Sequence, residues 1–216
     1  MIEGEHLMKL SNSHRQFLLR ATQQYSTHLD KAKDYLATRL LSVEEARTFH
    51  LGVVVDPLPG HEQFAGRLAI PYITPSGVVD IRFRSINGED PKYMGMPGAE
   101  TTMFNTSSVF NANKYICVTE GEFDCIMMSV KTNHPTVGIP GANNWKSHYS
   151  RILDDFDMVI VLMDGDKAGA EFGKKIVREM SNTNLIPMPD GEDVNSVFIK
   201  LGKEWLDERI RNCIAS

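Results

Sequence analysis

The sequence predicts an α/β fold, with an α+β region at the N-terminus, a region built on a mainly parallel sheet and a C-terminal helix. Residues 11–50 have apolar positions at helical spacing, whereas residues 52–110 consist of β-branched segments separated by Pro and Gly. After residue 114, apolar strands alternate with amphipathic helices. These patterns place the three regions at residues 1–114, 115–200 and 201–216.

The sequence of the N-terminal region predicts three short helices followed by a small sheet. The last helix begins at Ser42, whose hydroxyl can cap it while Glu45, three residues on, completes a capping box. The segments RLAIPYIT and GVVDIRFRSI follow, joined by the turn signal Pro75, Ser76 and Gly77. This arrangement favours an antiparallel sheet.

The strands after residue 114 are continuous apolar runs, namely KYICVT, PTVGI, DMVIVLMD and NLIPM. Helical segments lie between them, and such alternation is typical of a parallel sheet covered on both faces. The run MVIVLM is far shorter than the roughly 18 residues that cross a bilayer, and no basic-then-apolar signal begins the chain. We therefore expect a cytoplasmic protein with no membrane partner.

The composition disfavours zinc and disulfide chemistry. The three cysteines, Cys117, Cys125 and Cys213, are odd in number and too scattered for a paired-thiol site, and the seven histidines show no HxH or HExxH spacing. The formal net charge is −5, yet residues 1–115 carry 12 basic and 12 acidic side chains, against 11 and 16 in residues 116–216. The acidic excess lies in the second half of the chain. It indicates either a solvated acidic surface or a cluster of carboxylates that binds cations.

Acidic residues follow three predicted strands at their carboxyl ends. Glu120 follows YICVT, Asp164 and Asp166 follow MVIVLM, and Asp193 comes shortly after NLIPM. Ligands of a parallel sheet bind at this edge, so we expect these carboxylates to lie close together. A cluster of oxygen ligands without Cys or His selects Mg²⁺ or Mn²⁺ and suits phosphoryl or nucleotidyl transfer. For Asp166 alone, a helix N-cap is the competing interpretation.

Three segments with these acids resemble the Toprim domain, which is shared by bacterial-type primases, type IA and type II topoisomerases and some nucleases. They are VTEGEFDC, VLMDGDKAG and DGEDVN, in the family's order and strand context. Earlier segments, YLATRLLSVEEARTFHLG, GRLAIPYITPSGVVDIRFRS and PKYMG, resemble those that precede Toprim in the RNA-polymerase core of bacterial and phage (DnaG-like) primases. The resemblance covers roughly residues 30–200.

The resemblance implies a role for each matching acid. Glu120 corresponds to the glutamate credited with acid–base work or metal organisation, and Asp164 and Asp166 to the metal-binding pair. Asp193 and Asn195 complete the implied set of metal ligands, although the family often has an Asp where this chain has Asn195. The implied metal is Mg²⁺ or Mn²⁺.

The nucleic-acid- or nucleotide-binding residues that the resemblance implies are Arg67, Arg82, Arg84, Lys92, Asp124 and Lys167. For Arg84, the residues alone favour equally a surface charge that protects an edge strand from aggregation. The chain departs from the family at Gly95, where an Asn is common, and at Thr106, where a Lys is common.

The implied activity is that of a DNA primase core, a nucleotidyltransferase that synthesises short RNA primers on single-stranded DNA. Its implied partners are the template, ribonucleoside triphosphates, a replicative helicase and a separate zinc-binding module, because the sequence has neither clustered cysteines nor a GxxxxGK[ST] loop. A phage-encoded split primase fits this organisation. The alternatives are a Toprim nucleic-acid-binding or helicase-associated module without polymerase activity, and a Toprim nuclease.

Overall fold

A computed structural model describes residues 10–141 and 144–215 of the chain. Three α-helices open the fold: α1 (Asn12–Ser26), α2 (Lys33–Thr38) and α3 (Val43–Thr48), with a 3₁₀ turn before α2. Ser42 caps α3, since its side chain accepts a hydrogen bond from the Glu45 backbone while the Glu45 carboxylate accepts one from the Ser42 N–H. The predicted capping box is confirmed.

A four-stranded antiparallel sheet follows, in the order β1-β2-β3-β4. Its strands are β1 (Gly52–Val53), β2 (Leu68–Thr74), β3 (Gly77–Arg84) and β4 (Tyr93–Met94). β2 and β3 form the predicted hairpin, with Leu68 opposite Arg84 and Thr74 opposite Gly77. Helix α1 packs on one face of this sheet, where Leu18 and Tyr25 meet Phe83.

The second half is a four-stranded sheet in the order β6-β5-β7-β8, and all of its strand pairs are parallel. Its strands are β5 (Tyr115–Thr119), β6 (Thr136–Gly138), β7 (Met158–Met163) and β8 (Thr183–Pro187). The helices of this half are α4 (Ser107–Asn111), α5 (Glu122–Met127), α6 (Ser147–Leu153), α7 (Lys167–Glu179), α8 (Val194–Leu201) and α9 (Lys203–Ala215). The two sheets and their helices confirm the predicted fold class.

The order of the strands brings the chemistry to one edge. β5 and β7 are hydrogen-bonded neighbours, with Val118 opposite Val161. Glu120 comes directly after the last residue of β5, and Asp164 directly after the last residue of β7. Both acids therefore leave adjacent strands on the carboxyl edge of the parallel sheet.

The two halves of the chain share one of the buried hydrophobic clusters. Phe123 and Ile126 of α5 pack in the same buried cluster as Leu68, Ile70 and Tyr72 of the antiparallel sheet. Burial of this apolar surface contributes a stabilising free energy of about 25 cal/mol per Å², which holds α5 against the first sheet. Whether residues 1–114 and 115–200 are separate folding units stays a prediction.

The structure differs from the expected elements in a few places. The predicted helix over EFDCIMMSVKT is α-helical only to Met127 and ends in a π-helical turn, Met128–Thr132, closed by left-handed Asn133 at φ 60°. The strands β1 and β4 were not expected, because a two-residue strand shows no periodicity. The helix α8 was not expected either. Within the described ranges, no helix is long and apolar enough to cross a membrane.

Candidate active site

Glu120 and Asp164 are joined directly at the carboxyl edge. The backbone N–H of Asp164 donates a hydrogen bond to Oε1 of Glu120 at 3.0 Å. Five acids interact electrostatically around this contact and are called the carboxylate rim below; they are Glu120, Asp124, Asp164, Asp166 and Asp193. The structure thus brings together the acids that the sequence placed after three strands.

Burial and like charges make three acids of the rim, Asp164, Glu120 and Asp124, resist ionisation. Desolvation, then the negative charge of the other rim acids, raises the pKa of Asp164 to about 8. Desolvation, partly offset by the Asp164 N–H, raises the pKa of Glu120 to about 7. Desolvation and Asp193 also raise the pKa of Asp124 above its ordinary value. Because desolvation and mutual repulsion are the causes, a positive charge at this edge would stabilise the ionised rim.

Two of the rim acids also cap helices. Asp166 accepts a hydrogen bond from the Gly169 N–H at 2.8 Å at the start of α7, and Asp193 accepts one from the Ser196 N–H at 2.7 Å at the start of α8. The cap interpretation of Asp166 is therefore seen in the structure. Each contact involves one carboxylate oxygen, so the other oxygen of each acid can bind a ligand.

Close backbone packing holds the turns that carry the rim. Gly165 donates from its N–H to the carbonyl of Glu192 at 2.8 Å and accepts from the Gly191 N–H at 2.7 Å. A Cβ at Gly165 would lie 1.9 Å from the carbonyl oxygen of Pro189, and one at Gly169 would lie 2.2 Å from that of Asp164. Only glycine fits at these two positions. The close approach of Gly165 to Pro189 joins the turn after β7 to the turn after β8.

The rim fits a hard divalent cation in its donor chemistry. Its donors are carboxylate oxygens, and Oδ1 of Asp164 is buried with no hydrogen-bond partner, an uncompensated state that a cation would relieve. Among the described residues, however, no three His, Cys, Asp or Glu side chains are arranged as a ready-made metal site. The side chains of the rim would have to adjust on binding, or a substrate phosphate would complete the ligand set.

Asn195 does not direct its amide at the rim. Its Oδ1 accepts a hydrogen bond from Arg39 Nη1 at 3.4 Å, and its Nδ2 donates to the Arg39 carbonyl at 3.1 Å. The backbone N–H of Asn195 donates to Oδ1 of Asp124 at 3.0 Å. The implied metal ligand is thus engaged with an arginine that the sequence analysis did not single out, although Arg39 lies within the segment YLATRLL.

Three of the basic residues meet at one end of the antiparallel sheet. Arg84 ends β3 and lies opposite Tyr93, the residue after Lys92, while Arg67 precedes β2. Arg67 is buried and donates to the Pro91 carbonyl at 2.8 Å, whereas Lys92 is exposed. Arg84 packs over the ring of Phe123, the residue before Asp124, and its positive charge partly offsets the raised pKa of Asp124.

Arg84 lies in an aromatic cage. Its guanidinium is 4.7 Å from the ring centre of Phe123, 4.8 Å from that of Tyr93 and 5.5 Å from that of Tyr35, and it donates to the Tyr93 hydroxyl. The residue is 5% exposed, and its Nε has no hydrogen-bond partner. A buried, caged guanidinium is unlike the edge-strand surface charge that the residues alone also favoured.

Arg82 also borders this group, with its guanidinium 4.5 Å from the ring centre of Tyr93, whereas Lys167 is on helix α7. Arg82 donates to Oε1 of Glu122 at 2.8 Å, and the same oxygen accepts from the Tyr72 hydroxyl at 2.7 Å. Glu122 is 1% exposed, so this is a buried ion pair that joins β3 to α5. Lys167 is exposed as the first residue of α7, beside Asp166. Sequence reasoning missed Glu122, whose only signal was its place two residues after Glu120.

Residues 117–198 match the sequence profile of the Toprim-like family. The gene 57 protein of Mycobacterium phage D29 is 41% identical over 152 residues, which cover 68% of this chain and 99% of that protein. The DNA primase of Thermotoga maritima is 26% identical over 237 residues, and that of Buchnera aphidicola 26% over 172 residues. These alignments cover 88% and 71% of this chain but only 41% and 30% of the two primases.

Solved structures share the fold. A DnaG catalytic core superposes with a TM-score of 0.76 at 20% identity, covering 92% of this chain and 79% of that one. The RNA polymerase domain of Mycobacterium tuberculosis DnaG, in complex with double-stranded DNA, gives 0.74 at 20% identity, covering 95% and 81%. The likeness therefore extends over both sheets and not over the Toprim-like segment alone.

Proposed function

Because the chain belongs to the DnaG-like, Toprim-containing primase family, we propose that it is a primase catalytic core, a DNA-directed RNA polymerase that joins ribonucleotides on single-stranded DNA by metal-dependent nucleotidyl transfer. The observation that carries the proposal is the carboxylate rim, where Oδ1 of Asp164 is buried without a partner and where Asp164, Glu120 and Asp124 resist ionisation. Acids of this kind require a cation to be charged together. We propose Mg²⁺ or Mn²⁺.

The metal ligands proposed are Asp164 and Asp166, supported by Asp193. When bound, the cation would orient the triphosphate and offset the negative charge on the departing pyrophosphate. Asp166 and Asp193 are held by their caps to α7 and α8, which limits how far their carboxylates must move when substrate arrives. Such preorganisation is what makes electrostatic stabilisation of a transition state effective.

Glu120 is proposed to act on the attacking 3′-hydroxyl. Its pKa of about 7 lies near physiological pH, where a carboxylate can accept a proton and release it again. The Asp164 N–H holds Oε1, which leaves Oε2 to accept the proton. Glu120 thereby links proton transfer to the turn that carries the proposed metal ligands.

Basic side chains around the rim are proposed to contact phosphates. Lys92 is exposed beside Arg84, and Lys167 is exposed beside Asp166, so template and triphosphate phosphates can reach both lysines. Arg84 would contribute its charge from the aromatic cage, with Arg67 supporting the loop before Lys92. Arg82 is occupied by Glu122, and we assign it to holding β3 against α5.

The proposed partners follow from the family. One related structure is a DnaG catalytic domain bound to single-stranded DNA, and another contains zinc-binding and RNA polymerase domains. The present chain spans less than half of each of the two curated primases described above. We propose that a zinc-binding module and a replicative helicase complete its function. The phage relative supports a phage-encoded enzyme that acts in the bacterial cytoplasm.

One assay separates this function from its alternatives. The wild-type chain is incubated with labelled ribonucleoside triphosphates, single-stranded DNA and Mg²⁺ or Mn²⁺, and both RNA and template are resolved by electrophoresis. A primase core yields short RNA that requires template and metal. Template that is bound by the protein but intact, with no RNA product, would indicate a nucleic-acid-binding or helicase-associated module. A shortened template would indicate a nuclease.

A further inference from the structure

Arg39 and Asn195 are 156 residues apart in sequence and are joined by two reciprocal hydrogen bonds. The Asn195 amide donates to the Arg39 carbonyl at 3.1 Å and accepts from the Arg39 guanidinium at 3.4 Å. Asn195 is 1% exposed, so water does not compete for these contacts. An Asp at this position would have no N–H for the Arg39 carbonyl, which gives the amide a specific use.

The same contacts reach the carboxylate rim. The Asn195 N–H donates to Oδ1 of Asp124 at 3.0 Å, and the positive charge of Arg39 favours the ionised form of Asp124. Asn195 lies in the first turn of α8, which Asp193 caps. A displacement of Asn195 would therefore move two rim acids, Asp124 through the hydrogen bond and Asp193 through the helix.

Arg39 is itself held by aromatic rings. Its guanidinium lies 5.9 Å from the ring centre of Tyr35 and 6.0 Å from that of Phe123. Arg84 lies over the same two rings. The segment after α2 is thus connected both to the rim and to the cage of Arg84 by packed side chains.

We propose that Arg39 and Asn195 form a positioning clasp that fastens the N-terminal helices to the carboxylate rim, and that Asn195 is a hydrogen-bond partner of Arg39 and not a metal ligand. A cation at Oδ1 of Asn195 would share that oxygen with a guanidinium, and the two positive charges would repel each other. The inference rests on the proposed function for its effect on catalysis. Its statement about the metal is independent of that function.

A double-mutant cycle tests the clasp. Arg39→Ala, Asn195→Ala and the double variant are compared with wild type, with Arg47→Ala, an exposed arginine of the neighbouring helix α3, as the control. Template-directed ribonucleotide incorporation gives kcat and KM, and thermal unfolding verifies the fold. We expect each single change to lower kcat about tenfold, and the double variant to be about as impaired as either single one. A double variant impaired by the product of the two single effects would overturn the clasp.

Mn²⁺ binding, followed by electron paramagnetic resonance without nucleotide, tests the second half of the proposal. We expect Asn195→Ala and Arg39→Ala to weaken Mn²⁺ binding to a similar extent, because both changes would act only by displacing the ligands that the clasp positions. A weakening of tenfold or more in Asn195→Ala but not in Arg39→Ala would make Asn195 a ligand. This measurement decides the point even if the wild-type chain makes no RNA, an outcome that would refute the proposed function alone.

Asn195→Asp provides a rescue test that does not depend on a truncated side chain. It keeps the shape and an acceptor for the Arg39 guanidinium. Because it lacks the N–H for the Arg39 carbonyl, we expect it to recover only part of the activity lost in Asn195→Ala when Arg39 is present, and none in an Arg39→Ala background, where the buried carboxylate has no counter-charge. Equal recovery in both backgrounds would contradict the clasp.

Discussion

The Asp164 N–H donates a hydrogen bond to Oε1 of Glu120, which joins the acids that follow two neighbouring parallel strands. This single contact depends on the strand order β5-β7 and on the glycine-containing turn after β7. It places a proposed proton acceptor beside a proposed metal ligand.

Without a divalent cation, the rim should make stability fall as pH rises. The folded-state pKa of Asp164, about 8, lies above its ordinary value of 3.8. The folded state therefore holds a proton that the unfolded state has released, and its advantage is complete below about pH 4 and lost as pH rises through about 8. In EDTA, we expect Asp164→Asn to gain stability over wild type between pH 5 and pH 8, by an amount on the order of a few kcal/mol.

Thermal unfolding of both proteins across this pH range provides the measurement. The difference between the two curves cancels the histidines, since His61 and His134 are common to both proteins. A constant difference between wild type and Asp164→Asn would show that Asp164 does not titrate in this window. Saturating Mg²⁺ should reduce the gain of the variant, because the metal stabilises the ionised wild type.

Gly169→Ala should destabilise the fold and disturb the rim. The added Cβ would lie 2.2 Å from the carbonyl oxygen of Asp164 and 2.8 Å from Oε1 of Glu120. A backbone oxygen at that distance cannot move cheaply, so we expect a loss of about 2 kcal/mol or more in the free energy of unfolding. Gly95→Ala is the control, since nothing lies within 4 Å of its added Cβ. Equal denaturation midpoints for the two variants would refute the close approach.

Leu40→Gly should stabilise the protein. Leu40 follows α2 with a φ of 54°, a left-handed conformation that costs an L-residue roughly 1–2 kcal/mol. Its side chain is 44% exposed, so little packing is lost, although glycine adds entropy to the unfolded chain. We expect a net gain of about 0.5–1 kcal/mol. Leu19→Gly, which replaces a similarly exposed leucine inside α1, should instead destabilise the protein, and urea titrations of both variants measure the two effects.

Lys92→Ala should weaken single-stranded DNA binding in a salt-dependent manner. If the exposed Lys92 side chain neutralises one template phosphate, the slope of log affinity against log salt should decrease by about one. Lys31→Ala, an exposed lysine before α2, should leave the slope unchanged. Fluorescence anisotropy at several salt concentrations measures both slopes, and equal slopes would mean that the template runs elsewhere.

The sequence was sufficient to predict the edge of the sheet where the acids meet. Glu120, Asp164 and Asp193 follow apolar strands, and a parallel sheet collects such positions by geometry alone. The hairpin of β2 and β3 was predictable for a similar reason, since Pro75, Ser76 and Gly77 interrupt two β-branched runs. Local patterns were enough wherever the periodic element was long.

Contacts between distant segments were not predictable from local patterns. The pairing of Arg39 with Asn195 and that of Arg82 with Glu122 depend on how α2, α8, β3 and α5 pack, which no spacing in the sequence reveals. The resemblance suggested Asn195 as a metal ligand and Arg82 as a nucleic-acid contact, and the structure engages both side chains with other residues. Both roles stay predictions, and the Mn²⁺ binding measurement above decides that of Asn195.

The most direct test of the account is ribonucleotide incorporation by Asp166→Asn, measured beside its thermal unfolding. Asn keeps the shape and an oxygen for the Gly169 N–H, but it removes the charge proposed to hold the metal. We predict an intact fold with incorporation lower by a factor on the order of hundreds, while Asp157→Asn, at the opposite end of β7, stays active. An Asp166→Asn variant with wild-type activity and normal metal response would show that Asp166 only caps α7, and would contradict the proposed polymerase site.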